Sequence, residues 1–384
     1  MEFGRMTTIR TAITLAGAVA MGVAGIGEAE AELATDERPL HAFETTGWRT
    51  TAVPLVNFSS DDGTGYGLRT NLYRYDGTSI PYQLKVSGQL FFTSKGKWVH
   101  RLLVDTPNLV AGNRLEAEVA FEREDFANYN GTLRDDELDL YTKEQKTFSQ
   151  SFPSFRVRWI RQLQGHWRLR AGSRLSTRDI DPNASTGSVL RSLNPRGTNG
   201  GTLLETDAAL RYDTRDNYNN ASSGQLLEWL IQYGIGAGGD FNGFKTTIEH
   251  RYFQRIARGV TFATRVGKDF TVGDWPFYEE LDLGGSSTVR GLASARDRGE
   301  SRVLINGELR WQGVPLWRRK HLWLGGLIFL DAGQIHDGLL PSVDSWRRGG
   351  GAGLRLQWAS TIVRADYGQS GGRTGIYITF GQLY

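Results

Sequence analysis

The chain has 384 residues, 39% of them hydrophobic and 11% aromatic, with 48 glycines, 10 prolines and no cysteine. So many aromatics argue against disorder, and the missing thiols exclude a disulfide scaffold and a cysteine-ligated metal or cluster. A formal net charge of +3 is too mild to point to nucleic acid, and a single long apolar run is too few for a helical membrane protein.

That run is at the start. Arg5 and Arg10 precede an apolar stretch from Thr11 to Gly27, and Ala29-Glu30-Ala31 supplies a small-residue cleavage pattern. Residues 1–31 read as a secretory signal peptide, and 32–46 as a short periplasmic segment ahead of the main body, 47–384. The absence of cysteine is compatible with an oxidising compartment.

From residue 47 the pattern has period two rather than 3.6. Strands are predicted near 47–57, 64–75, 81–93, 97–106, 113–123, 153–163, 166–176, 203–213, 223–235, 243–255, 258–270, 301–312, 320–332, 349–358, 361–369 and 374–384. In the fifth, Leu115, Ala117, Val119 and Phe121 oppose Arg114, Glu116, Glu118 and Glu122. In the seventh, Trp167, Leu169, Ala171 and Leu175 oppose Arg168, Arg170 and Arg174. In the twelfth, Val303, Ile305, Leu309 and Trp311 oppose Arg302, Asn306, Glu308 and Arg310. The last places Ile376, Ile378, Phe380 and Tyr384 on one face.

A soluble sandwich hides the apolar face of such strands, whereas a membrane barrel turns it to lipid and lines its lumen with the polar face. The connections separate the two. The long ones, 124–152, 177–202, 271–300 and 333–348, all follow odd-numbered strands, as in a barrel with long outer loops and tight periplasmic turns. The expected fold is therefore all-β, a sixteen-stranded antiparallel transmembrane barrel. Low hydrophobicity fits, because only one face of each strand must be apolar.

Within this frame, Trp48, Tyr73, Trp98, Trp159 and Trp358 are candidates for interfacial girdles. Arg156, Arg158, Arg168, Arg170 and Arg174 form either an anion-favouring wall or, the preferred reading, a luminal ion-pair network with Glu116, Glu118 and Glu122. The six histidines are scattered, with no H-E-x-x-H and no nucleophile-elbow serine. No catalytic residue, metal site or cofactor is expected, and the chain does not read as an enzyme.

One segment carries more specific information. Leu283-Gly284-Gly285-Ser286-Ser287-Thr288-Val289-Arg290-Gly291-Leu292 resembles the Gly-Gly…Val-Arg-Gly-aromatic signature of the BamA superfamily, also called bacterial surface antigen proteins. Tyr212-Asp213-Thr214-Arg215-Asp216, Phe329-Leu330-Asp331-Ala332-Gly333, Gly351 to Arg355 and Val363 to Gly368 resemble further family segments. Phe380-Gly381-Gln382-Leu383-Tyr384 resembles the family's C-terminal insertion signal. The resemblance covers about 47–384.

This resemblance implies an outer-membrane insertase or translocator barrel whose sixth outer loop folds inward between strands eleven and twelve. It implies that Arg290 pairs with Glu308 and Asp331, with Gly284, Gly285, Val289, Gly291 and Leu292 shaping the loop. Such a pairing has either a structural or a gating role. It also implies a weak seam between the first and last strands. Partners would be the outer-membrane bilayer with its lipopolysaccharide, client barrel proteins or a periplasmic partner, and a homo-oligomer, without nucleic acid. POTRA domains are expected to be absent, because about fifteen residues precede the first strand, far below a self-supporting domain. Leu292 departs from the usual aromatic. The alternative function is a passive, porin-like pore or structural barrel.

Overall fold

The computed structural model describes residues 46–384 apart from 111, 132, 318–321, 339 and 359–360. The expected signal peptide and the segment up to residue 45 lie outside the described residues.

Sixteen strands close into one antiparallel barrel. They are β1 (Thr46–Ser59), β2 (Gly63–Asp76), β3 (Leu84–Thr93), β4 (Lys97–Val110), β5 (Asn113–Asn128), β6 (Thr147–Gln162), β7 (Trp167–Pro182), β8 (Gly201–Asp213), β9 (Gly224–Gly236), β10 (Asn242–Ala257), β11 (Val260–Asp274), β14 (Ser301–Trp317), β15 (Leu322–His336), β16 (Arg347–Trp358), β17 (Thr361–Ser370) and β18 (Arg373–Phe380). Between β11 and β14, β12 (Leu281–Leu283) and β13 (Asp297–Gly299) form a separate small hairpin. Among the described residues every strand belongs to the barrel or this hairpin, and no POTRA-like domain is present.

The burial pattern is inverted relative to a soluble protein. On β14, Ile305 and Leu309 are 42% and 38% exposed, while Asn306 and Glu308 are at 0% and 1%. The apolar parity therefore faces outward and the charged parity inward. A closed wall satisfies its backbone groups strand to strand, and an outward apolar face suits hydrocarbon, as a membrane barrel requires.

Inside, charges are balanced within strands and between neighbouring ones. Arg101 meets Glu122 at 3.0 Å, Arg114 meets Asp105 at 2.8 Å and Glu116 at 2.9 Å, and Arg302 meets Asp269 at 2.9 Å. The expected network takes different partners in part. Arg158 does reach Glu116, at 3.6 Å, but Arg170 lies 3.6 Å from Asp207 and Arg174 pairs with Glu205. The girdle expectation also needs one correction. Trp48 and Trp358 are exposed on the outer parity, whereas Tyr73 points inward and packs against Tyr82 at 5.2 Å between ring centroids.

The outer ends of several strands run further than the alternation indicates. β5, β6 and β7 continue to Asn128, back to Thr147 and on to Pro182. These extensions are polar, so the apolar signal that marks a strand fades there while the hydrogen-bond ladder persists. The connections carry two short helices, α1 (Asp135–Leu138) and α2 (Val189–Leu193). Ser188 Oγ accepts from the Arg191 amide at 3.3 Å to cap α2, and Asn194 ends it in the left-handed region at φ 42°. Tyr129, Phe148, Val189, Leu190 and Phe277 form one apolar cluster, joining three outer connections.

Candidate functional site

The site is built on the 275–300 connection. The β12–β13 hairpin pairs Leu281 with Gly299 and Leu283 with Asp297 and presents the signature segment as its tip. The tip is closed by short bonds. The Gly284 amide donates to Thr288 Oγ1 at 2.7 Å, and the Gly285 amide to the Leu292 carbonyl at 2.8 Å. Leu283, Val289 and Leu292 pack with Leu304 of β14 and with Ile335. Leu292, in the position of the usual aromatic, thus fills an apolar contact with the wall.

Arg290 is fully buried. Its Nε and Nη2 donate to the two oxygens of Asp331 at 2.8 and 2.9 Å, and its amide donates to the same carboxylate at 3.1 Å. Nη1 donates to Glu308 Oε1 at 2.8 Å and to Asp366 Oδ2 at 3.2 Å. The guanidinium carbon lies 3.4 Å from the Phe329 ring centroid, a cation–π contact that adds to the ionic ones. A forked, planar cation suits this bidentate arrangement, which a lysine cannot copy.

Each carboxylate has a second donor. Arg310 Nε donates to Glu308 Oε2 at 2.8 Å, Asn306 Nδ2 to Asp331 Oδ1 at 2.7 Å, and Arg355 to Asp366. The wall is cleared for the tip by glycine. A Cβ on Gly349 would fall 2.4 Å from the Arg290 carbonyl, and one on Gly368 would fall 2.9 Å from Arg290 C. Gly291 is required twice: its φ is +94°, and a Cβ there would fall 2.6 Å from Gln369 main chain. Its amide donates to the Tyr377 hydroxyl on β18 at 3.2 Å. The tip therefore touches β14, β15, β16, β17 and β18, and the Ser294 amide reaches Asp61 at the β1–β2 turn at 3.3 Å.

Above the tip, Arg296 meets Asp135 at 2.7 Å and Asp297 at 3.1 Å, and Arg347 meets the same two carboxylates at 2.9 and 2.7 Å. Arg174 and Arg178 reach Glu279 at 3.1 and 3.2 Å. Burial acts to raise the Glu279 carboxyl, but Arg174, Arg178 and Lys245 outweigh it and bring it down to about 2.

Glu308 and Asp331, the partners expected for Arg290, are both within hydrogen-bond reach. Asp331 lies within β15 rather than at its end, because β15 continues to His336. Sequence reasoning missed Asp366, Phe329 and Tyr377. The inward parity shared by Arg364 and Asp366 was the signal for Asp366. Nothing local marks Phe329 or Tyr377, which meet the tip only through barrel closure.

The seam differs from the other contacts of the wall. β1 pairs with β2 over fourteen residues, Thr46↔Asp76 to Ser59↔Gly63, but with β18 only at Phe58↔Ile378 and Ser59↔Tyr377. β18 ends at Phe380, not at Tyr384 as expected. Gly381, at φ +77°, turns the chain inward. Phe380 stays on the wall opposite Val363. Tyr384 instead is buried beside Phe253 and Ala263, and its hydroxyl donates to the Ala263 carbonyl at 3.0 Å.

A closed, sixteen-stranded barrel with an apolar exterior and a charged interior defines a membrane-spanning β-barrel of the outer-membrane type. The Omp85 superfamily domain matches residues 63–381, and the chain belongs to that superfamily. Its fold is similar to that of BamA from Haemophilus ducreyi lacking POTRA domains 1–3, with TM-score 0.62 at 12% identity, over 88% of this chain and 71% of that one. It is similar to CdiB from Escherichia coli, with TM-score 0.61 at 13% identity, over 88% and 63%. For CdiB from Acinetobacter baumannii the TM-score is 0.53 at 10% identity, over 89% and 66%. The chain thus spans about two thirds of the length of these structures. No curated protein matches it.

Proposed function

We propose that this protein is an outer-membrane barrel that assists the insertion or translocation of client polypeptides through the β1–β18 seam. The observation that carries this reading is the two-pair ladder at that one junction, beside fourteen pairs at its neighbour. An edge strand offers unpaired amides and carbonyls to an incoming strand. Beyond its two pairs, the seam leaves the β18-facing main-chain groups of β1 without a ladder partner on that strand.

Arg290 serves this reading as an internal clasp. It ties the tip of the 275–300 connection to β14, β15 and β17, and the neighbouring Gly291 amide reaches the seam strand β18. Membership of the superfamily supports residence in a bacterial outer membrane, with lipopolysaccharide in the outer leaflet and barrel proteins as clients.

The test is reconstitution in liposomes with an unfolded client barrel. Faster client folding than in protein-free liposomes is the expected result. Steady ion conductance with no acceleration would sink the reading and leave a passive pore.

A further inference from the structure

On the outward face of β11, β14, β15 and β16 the change from apolar to polar falls at one level. Along β15, Ile328 and Leu330 are exposed, and Ala332, Gln334 and His336 follow on the same parity toward the outer end. Ala332 lies opposite Ile305 on β14 and Arg348 on β16. Gln334 lies opposite Val303, which in turn faces Lys268 on β11. Lys268 and Arg348 thus stand in successive rows of the outward parity, where the apolar band ends. The 337–346 connection settles directly above: Gln334 Nε2 donates to Ser342 Oγ at 2.8 Å, and Ser301 Oγ to the Gly338 carbonyl at 2.6 Å.

The two cations keep donors to spare. Lys268 Nζ lies 2.8 Å from His336 Nε2, and His336 Nδ1 lies 3.2 Å from the Asp337 carbonyl. A carbonyl only accepts, so Nδ1 carries the proton and Nε2 accepts from the lysine. This uses one of the ammonium's three donors. His336 is further out along β15 than Gln334, so the lysine lifts its charge away from the hydrocarbon. Arg348 is exposed and has no hydrogen bond or ion pair among the described residues. On these four outward faces the one carboxylate among the described residues is Asp274, at the end of β11, and Arg196 pairs with it. Elsewhere on the wall, Arg123 of β5 also faces outward, but Asp125 neutralises it at 2.7 Å. A lipid-facing lysine is costly at the bilayer midplane and cheap at the interface, where anionic headgroups supply the missing counter-charge.

We propose that Lys268 and Arg348, with His336 orienting the lysine, bind the phosphate groups of an outer-leaflet lipid whose acyl chains lie along Ile305, Ile328 and Leu330. The ammonium meets phosphate as a point charge and the guanidinium as a fork. This assigns residues to the lipopolysaccharide contact of the proposed function; it rests on the outer-membrane placement in that reading and not on client handling.

Native mass spectrometry of the detergent-solubilised barrel, with diphosphorylated lipid A as the probe, tests the site. The barrel should retain the lipid, and Lys268→Gln with Arg348→Gln should weaken binding on the order of tenfold. The fully dephosphorylated lipid should bind poorly to both proteins. Arg74→Gln, which removes an outward cation beside Trp48 at the opposite end of the wall, should bind as the unaltered protein does. Heat-modifiable mobility checks folding, and the single variants replace the double one if it does not fold. Equal retention by the unaltered protein and the double variant overturns the proposal, as does tight binding of the dephosphorylated lipid or an equal loss in Arg74→Gln. Displacement of the lipid by millimolar inorganic phosphate would leave a small-anion site and overturn the lipid assignment. No client enters this experiment, so its failure leaves the insertase reading standing. A barrel that binds the lipid as expected but never accelerates client folding refutes that reading alone.

Discussion

Replacing Arg290 with alanine removes one cation from three buried carboxylates. The loss is uneven. Glu308 keeps Arg310 at 2.8 Å and Asp366 keeps Arg355, but Asp331 keeps no cation, only the Asn306 side-chain amide at 2.7 Å and the residue-290 main-chain amide at 3.1 Å. Breaking a buried pair by deleting one partner costs about 3–5 kcal/mol, because the remaining charge stays desolvated. That charge is Asp331, which accepts two hydrogen bonds from the guanidinium. Neutralising it should recover part of the loss, so Arg290→Ala with Asp331→Asn should show a coupling of about 2 kcal/mol. Arg290→Lys restores charge but not the fork and should stay below the native protein. The assay is a urea midpoint in detergent, read by heat-modifiable mobility, with proteolysis of the 275–300 connection alongside. An Arg290→Ala barrel within about 0.5 kcal/mol of native, the range of an ordinary surface change, would refute the reasoning. So would an Asp331→Asn change that makes it worse.

Gly291→Ala should destabilise the tip by at least about 1–3 kcal/mol, from its positive φ alone, and further from the clash with Gln369; faster proteolysis between residues 284 and 296 is the readout. Glu279 gives a pH dependence. Its folded carboxyl is depressed to about 2, so its stabilising contribution is complete above the ordinary carboxylate range and is lost as pH falls toward 2. Hydrogen exchange of the 275–300 connection should rise over that window, and Glu279→Gln should flatten the response. Arg296→Ala should loosen the connection measurably, since Arg296 is buried and bridges Asp135 and Asp297. Arg373→Ala should be close to neutral, within about 0.5 kcal/mol, because its contact with Asp139 is exposed and 3.6 Å long; equal loop proteolysis in the two variants would contradict this contrast.

The sequence by itself determined the strand count, the outward face of the strands with clear alternation and the place of the signature connection. These are local: alternation has a period of two residues, and a membrane barrel needs only one apolar parity. Glu308 was legible for the same reason, since it shares a parity with Arg302, Asn306 and Arg310. Tertiary structure decided the rest. Asp366 and Phe329 join the clasp because closure brings β15 and β17 around one tip, and no spacing in the chain encodes that distance. The outer cap of Tyr129, Phe148, Val189 and Phe277 is likewise assembled across connections far apart in sequence. Tyr384 shows the limit most plainly. Alternation places it on the lipid face with Ile376 and Ile378, but a single left-handed glycine at 381 redirects it into the barrel. Whether a glycine takes that conformation depends on what Arg310, Ala263 and Asn220 offer on the far wall, which only the folded chain supplies.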